Sequence, residues 1–81
     1  MKLGQGFRAN FRQYTLFVEV REEGWMAAIR DNSLRKWHWQ ENVADDVEGR
    51  DLAWSRLLDN LPEEQREEAQ ATLQWERYGP T

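Results

Sequence analysis

Cysteine is absent from this 81-residue chain. That removes a disulfide framework, thiolate catalysis and cysteine-ligated zinc together. Small secreted domains more often carry such staples, so a reducing compartment, the cytoplasm, is the expected setting. Histidine occurs once, at His38. A catalytic histidine needs an orienting carboxylate and a nucleophile, and zinc needs several N or S ligands. Gln40 and Glu41 lie near His38 in sequence and complete neither set. No stretch approaches the ~18 apolar residues of a membrane span, and the opening MKLGQGFRANFRQ lacks the apolar run of a signal peptide. Glycine-rich phosphate loops, serine-centred elbows and P-loops are also missing. A chain this short buries only ~60–65% of its unfolded surface, which leaves little room for a deep pocket. The expectation is a small soluble protein that is not an enzyme and has no cofactor, no metal, no membrane association and no small-molecule substrate.

What is present is charge and tryptophan. Net charge is −4, unevenly spread: residues 1–39 carry seven basic and four acidic groups, residues 40–81 four basic and eleven acidic. An acidic second half repels phosphate backbones, whereas the basic first half can face one. The acidic cluster Asp45, Asp46, Glu48 and Asp51 lacks the spaced oxygens and loop glycine of a cation-binding loop, and its position suits helix capping. The pairs Glu22-Glu23, Glu63-Glu64 and Glu67-Glu68 fall where a turn or a solvated helix face is expected, not in a buried acid–base site. Five Trp in so short a chain supply much of the apolar area a small core requires.

Residues 1–12 read as a flexible basic lead-in to a single α+β domain over residues 13–81. From Tyr14 the pattern has period two: Tyr14, Leu16, Val18 and Val20 share one face of a strand. Glu23-Gly24 is a plausible turn, pairing Val20 with Ala27 and Val18 with Ile29. The core face is then Tyr14, Leu16, Val18, Val20, Trp25, Ala27 and Ile29. A third strand is expected from about Leu34 to Glu41. Asp45 and Glu48 have capping-box spacing and open a helix with the stripe Val47, Trp54, Leu57, Leu58 and Leu61. Pro62, Glu63 and Glu64 mark a second helix running to about Tyr78, stopped by Gly79-Pro80. The predicted fold is a three-stranded antiparallel sheet in the order β-β-β-α-α, with two C-terminal helices packed on one face.

Tyr14, Val18, Glu19, Gly24, Trp25, Ala28, Asp31 and Glu48 match a pattern of a tyrosine-led strand, a Gly-aromatic turn, a second strand ending in Asp, and a helix with an early Glu. Over residues 14–58 the chain in this respect resembles the HicB-like antitoxin half-barrel. It departs where the family carries Pro-Asp-x-Pro-Gly-Cys and this chain has Arg30-Asp31-Asn32-Ser33-Leu34-Arg35. The resemblance implies a non-enzymatic binding fold.

Two surfaces are candidates for binding. On the second helix, Ala71, Trp75 and Tyr78 fall opposite Ala69 and Leu73. Together with Phe17 they make a surface for another protein or a second copy of the chain, as in a homodimer. The alternative is single-stranded nucleic acid on an aromatic and basic sheet face of Phe17, Arg21, Arg30, Arg35, Trp37 and Trp39, with Arg8 and Arg12 nearby. The turn before the third strand decides it. A two-residue loop, Asn32-Ser33, puts Trp37 and Trp39 on the open face. A three-residue loop, Asp31-Asn32-Ser33, puts both in the core, and burial of ~1.5–3 kcal/mol for each large side chain favours that arrangement.

Overall fold

The computed structural model describes residues 2–79. Five strands, β1 (Gly6–Phe11), β2 (Tyr14–Arg21), β3 (Gly24–Asp31), β4 (Lys36–Val43) and β5 (Glu76–Tyr78), form one antiparallel sheet in the order β4-β3-β2-β1-β5. Two helices, α1 (Asp46–Asp59) and α2 (Glu63–Thr72), follow the first four strands. The class is α+β with an antiparallel sheet, as expected, but the sheet has five strands where three were predicted. None of the described helices is long and apolar enough to cross a membrane.

The two additional strands lie outside the segments read as strands. The lead-in expected over residues 1–12 contains β1, whose Phe7, Ala9 and Phe11 alternate toward the core face and pair with Val18, Leu16 and Tyr14. The second helix, expected to reach Tyr78, stops at Thr72, and residues 76–78 pair with the outer edge of β1. An unpaired strand edge offers a row of free N–H and C=O groups, and Leu73 and Trp75 dock against the core as the chain approaches that edge. Pro80, expected with Gly79 to stop the helix, lies outside the described residues, as do Met1 and Thr81.

The predicted core face is correct although the predicted pairing is not. The β2–β3 turn is Glu22-Glu23, so Val20 meets Trp25, Val18 meets Ala27 and Leu16 meets Ile29. Gly24, at φ 119°, follows the turn instead of occupying it. The ladder is shifted by two residues, and because side chains alternate with period two the same residues still face inward. Leu16, Val18 and Ile29 are fully covered.

Helix α1 closes that core. Asp45 caps it, its carboxylate accepting from the Glu48 N–H at 2.8 Å, while the Glu48 carboxylate accepts from the Ala44 N–H at 2.6 Å. Gly49, Ala53 and Leu57 are its buried positions, and Leu61 follows, buried beyond its end. From the predicted stripe Val47 is instead exposed, while Trp54 and Leu58 pack partly on the core. The Arg66 guanidinium donates to the Leu58 and Leu61 carbonyls at 2.9 and 3.0 Å, tying α2 to the end of α1. Ala69 of α2 is fully buried in the same cluster.

The approach of α1 to the sheet needs a missing side chain. A Cβ on Gly49 would lie 2.6 Å from Val18 Cγ1 and 3.2 Å from Val43 Cγ2. Val18 is β-branched and enclosed, so it has no free rotamer to retreat into. Gly49→Ala gains helix propensity of roughly 1 kcal/mol but overpacks the core by ~1–3 kcal/mol. The expected result is a net loss of stability, seen as a lower urea midpoint with an unchanged slope. A midpoint equal to or above wild type would contradict this packing.

Candidate functional site

With both helices on one face, no helix among the described residues covers the other face of the sheet, where Met26 and Ala28 are buried only by their neighbours on the sheet. Its rows follow from the register. Asn10, Thr15, Arg30 and Trp37 form one row; Arg8, Phe17, Ala28 and Gln40, with Glu76 beyond Arg8, form the next; Gly6, Glu19, Met26 and Asn42, with Tyr78 beyond Gly6, form a third. Arg21 stands at the far end, beside Gly24.

The two tryptophans of β4 are split between faces, which neither expected loop length produces. The loop is Asn32–Arg35, with Asp31 opposite Lys36. The Asp31 carboxylate holds it as an Asx-type turn, accepting from the Ser33 N–H, the Ser33 hydroxyl and the Leu34 N–H at 2.9, 2.6 and 3.1 Å. Arg35 takes a left-handed φ of 54° before the strand resumes. An even loop puts Trp37 opposite Arg30 on the open face, where it is 45% exposed. The register then shifts between Ile29 and Arg30, which brings Trp39 opposite Ile29 on the core face. There Trp39 packs against the core and lies under the Arg56 guanidinium, 5.6 Å from the ring centre. Burial of one indole drives the irregularity: without it both would stand in water. His38, taken up by the shift, lies 5.9 Å from the Tyr14 ring. Among the described residues no group of three or more potential ligands is placed to hold a metal ion.

Three aromatic rings converge on the open face from three strands. Trp37 from edge strand β4 meets Phe17 of central β2 at 5.6 Å, and Tyr78 from edge strand β5 meets Phe17 from the other side at 6.0 Å. The intervening strands β3 and β1 make this convergence feasible with small residues. Ala28 stands beside Phe17, and Gly6 stands between Tyr78 and Glu19. Gly6 tolerates no substituent, because a Cβ there would run into the Val18 carbonyl. Arginines flank the rings: Arg30 lies over Trp37 at 5.7 Å and Arg8 over Tyr78 at 5.6 Å. Arg8 also pairs with Glu76 at 2.9 Å, and Arg21 pairs with Glu19. None of the ion pairs among the described residues involves Arg30, Arg35 or Lys36. On the open face and its adjoining loop, the arginines outside these ion pairs are therefore Arg30 and Arg35, at the Trp37 end.

The Tyr78 hydroxyl donates to Glu19 Oε1 at 2.9 Å. Burial and then this bond to a carboxylate push its pKa well above the usual tyrosine value. Thr15 is satisfied, donating to Asn10 of its row at 2.8 Å and accepting from Asn32 of the β3–β4 loop at 2.8 Å.

Of the residues expected to form a protein-binding surface, Phe17 and Tyr78 come together on the open face. Trp75 turns to the core side and packs there, and Ala71 is exposed on α2, apart from both. Of the nucleic-acid set, Phe17, Arg21, Arg30 and Trp37 share the open face, Arg35 lies in the adjoining loop, and Trp39 belongs to the core. Tyr78 and Arg8 complete the platform. The period-two alternation of Phe7, Ala9 and Phe11 is the sequence signal that places Arg8 on this face. A scan of protein-family models and searches of curated proteins and of solved structures found no match to the chain.

The loop that presents Trp37 is sensitive to acid. The Ser33 hydroxyl bond, then the Leu34 and Ser33 N–H bonds, hold the Asp31 carboxyl below the usual carboxylate range against the opposing effect of burial. A lowered folded-state pKa stabilises the fold above the unfolded value of about 4. The contribution is lost as pH falls through the folded value. Ser33→Ala should raise the Asp31 pKa toward that of a free aspartate in a carboxyl NMR titration. The difference in melting temperature between the two proteins should shrink as pH falls through the folded-state pKa of Asp31. An unmoved Asp31 titration would show that the hydroxyl is not its principal partner.

Proposed function

We propose that the protein is a non-enzymatic module that binds single-stranded nucleic acid on the open face of its sheet. Bases stack on Trp37, Phe17 and Tyr78, and phosphates lie toward Arg30 and Arg35. The observation that carries this reading is Trp37. A chain with little core to spare keeps this indole 45% exposed, against Phe17 and beneath an unpaired arginine, while the strand bends to bury its neighbour Trp39. Aromatic side chains in this setting contribute ~1–3 kcal/mol per stacked base.

Charge supports the same reading once it is divided by layer. Residues 44–72, which hold both helices, carry nine acidic and three basic side chains, whereas residues 1–43 carry seven basic and five acidic. The acidity that gives the chain its net −4 is thus concentrated on the side away from the open face. Screening over about 8 Å at 0.15 M salt is short against the molecule's smallest extent of 21 Å. A strand on the open face experiences mainly the local arginines. The HicB-like resemblance implies a binding fold and is in line with this reading, as is the cytoplasmic setting expected from the absence of cysteine. The protein-binding surface Ala71, Trp75, Tyr78 and Phe17 has less support, because only Tyr78 and Phe17 share a face.

Titration with a single-stranded oligonucleotide of about ten nucleotides tests the proposal. Tryptophan fluorescence should be quenched, and Trp37→Ala should remove the quenching and weaken binding about 5- to 150-fold, equivalent to ~1–3 kcal/mol. Trp75→Phe should bind as wild type. With about two phosphate contacts, log K should fall with log salt at a slope of about −1.4. DNA and RNA versions of the oligonucleotide distinguish the sugars. Flat fluorescence at low salt would overturn the proposal. A dimer that dissociates on Phe17→Ala would favour the protein-binding alternative instead.

A further inference from the structure

An anion-binding face that holds a carboxylate in its middle raises the question of what that carboxylate meets. Glu19 lies on β2, in the row between Gly6 and Met26. Its side chain is 17% exposed and held at both ends: Oε1 accepts from the Tyr78 hydroxyl at 2.9 Å, and Oε2 is paired with the Arg21 Nε. A carboxylate has about four lone-pair sites, so each oxygen keeps one to offer. The group is fixed in place beside the Tyr78 ring and accepts only.

A phosphate is repelled there, so the part of a strand that lies over Glu19 is a base. Among the bases, guanine alone presents two adjacent donors on its Watson–Crick edge, N1–H and the N2 amino group, which match two carboxylate oxygens. Thymine and uracil present one N–H between two carbonyls, and the carbonyl oxygens would face the carboxylate lone pairs. In single strands these edges are open to side chains. We infer that Glu19 is a specificity-determining residue that selects guanine at the position stacked on Tyr78, the Tyr78 hydroxyl and Arg21 holding its carboxylate in place. This rests on the nucleic-acid reading of the open face.

The probe is a set of oligodeoxythymidines of about ten nucleotides in which one central residue is dG, dA, dC or dT. The dG oligonucleotide should bind about tenfold more tightly than the all-dT strand, in the range of one bidentate base contact. Glu19→Gln is close to isosteric and keeps an acceptor for the Tyr78 hydroxyl. It should abolish the dG preference while leaving affinity for the all-dT strand equal to or above wild type, because a negative charge has been removed. Tyr78→Phe, which releases one end of the carboxylate, should reduce the preference without reversing it. Equal binding of the four oligonucleotides by the wild type, or a dG preference that survives in Glu19→Gln, would overturn the inference while leaving the nucleic-acid reading intact. Absence of binding to all four would overturn both.

Discussion

The seating of α1 on β2 and β3 is the contact on which the rest of the structure depends. It is close because Gly49 and Ala53 present almost no side chain where the helix meets Val18 and Val43. An 81-residue chain has few large residues to spend on a core, and close approach by small ones substitutes for bulk. This seating assigns the two faces of the sheet. Leu16, Val18, Ala27 and Ile29 go under the helix, and what alternates with them has no helix over it among the described residues.

That assignment propagates to β4. Once Ile29 is on the covered side, the residue opposite it is covered as well, and the register shift delivers Trp39 there. Trp37, on the near side of the shift, stays with Arg30 on the open face. A single irregularity in one ladder thus separates two indoles that are two residues apart. It gives one to stability and the other to an exposed platform with Phe17 and Tyr78. The platform also depends on Gly6 and Ala28, whose lack of bulk on the intervening strands lets rings from both sheet edges reach the central one.

Charge follows the same division. The helix layer carries most of the acidic residues, many of them in first turns where they complement helix N-termini. On the open face Glu19 is engaged with Tyr78 and Arg21, and Glu76 with Arg8, while Arg30 and Arg35, beside Trp37, are in none of the ion pairs among the described residues. A whole-chain net charge of −4 conceals this polarity, because it sums over two surfaces that face opposite ways.

The sequence by itself determined what local rules govern. Period-two alternation gave the inward residues of β2 and β3, and it survived a one-residue error in the turn because the resulting two-residue slip of the ladder preserves faces. Asp45 and Glu48 gave the start of α1, since capping is a contact over three or four residues. Tertiary structure alone decided the rest. Strand β1 shows an alternation in sequence but has meaning only beside β2. Strand β5 is three residues long and exists because β1 offers an edge some seventy positions earlier in the chain. Neither the place of Trp75 nor the meeting of Tyr78 with Phe17 follows from helical spacing when the helix ends at Thr72. The faces of Trp37 and Trp39 were undecidable from loop length for the same reason. A register shift is set by which side chains gain burial across the sheet, and that competition involves residues the local sequence does not contain.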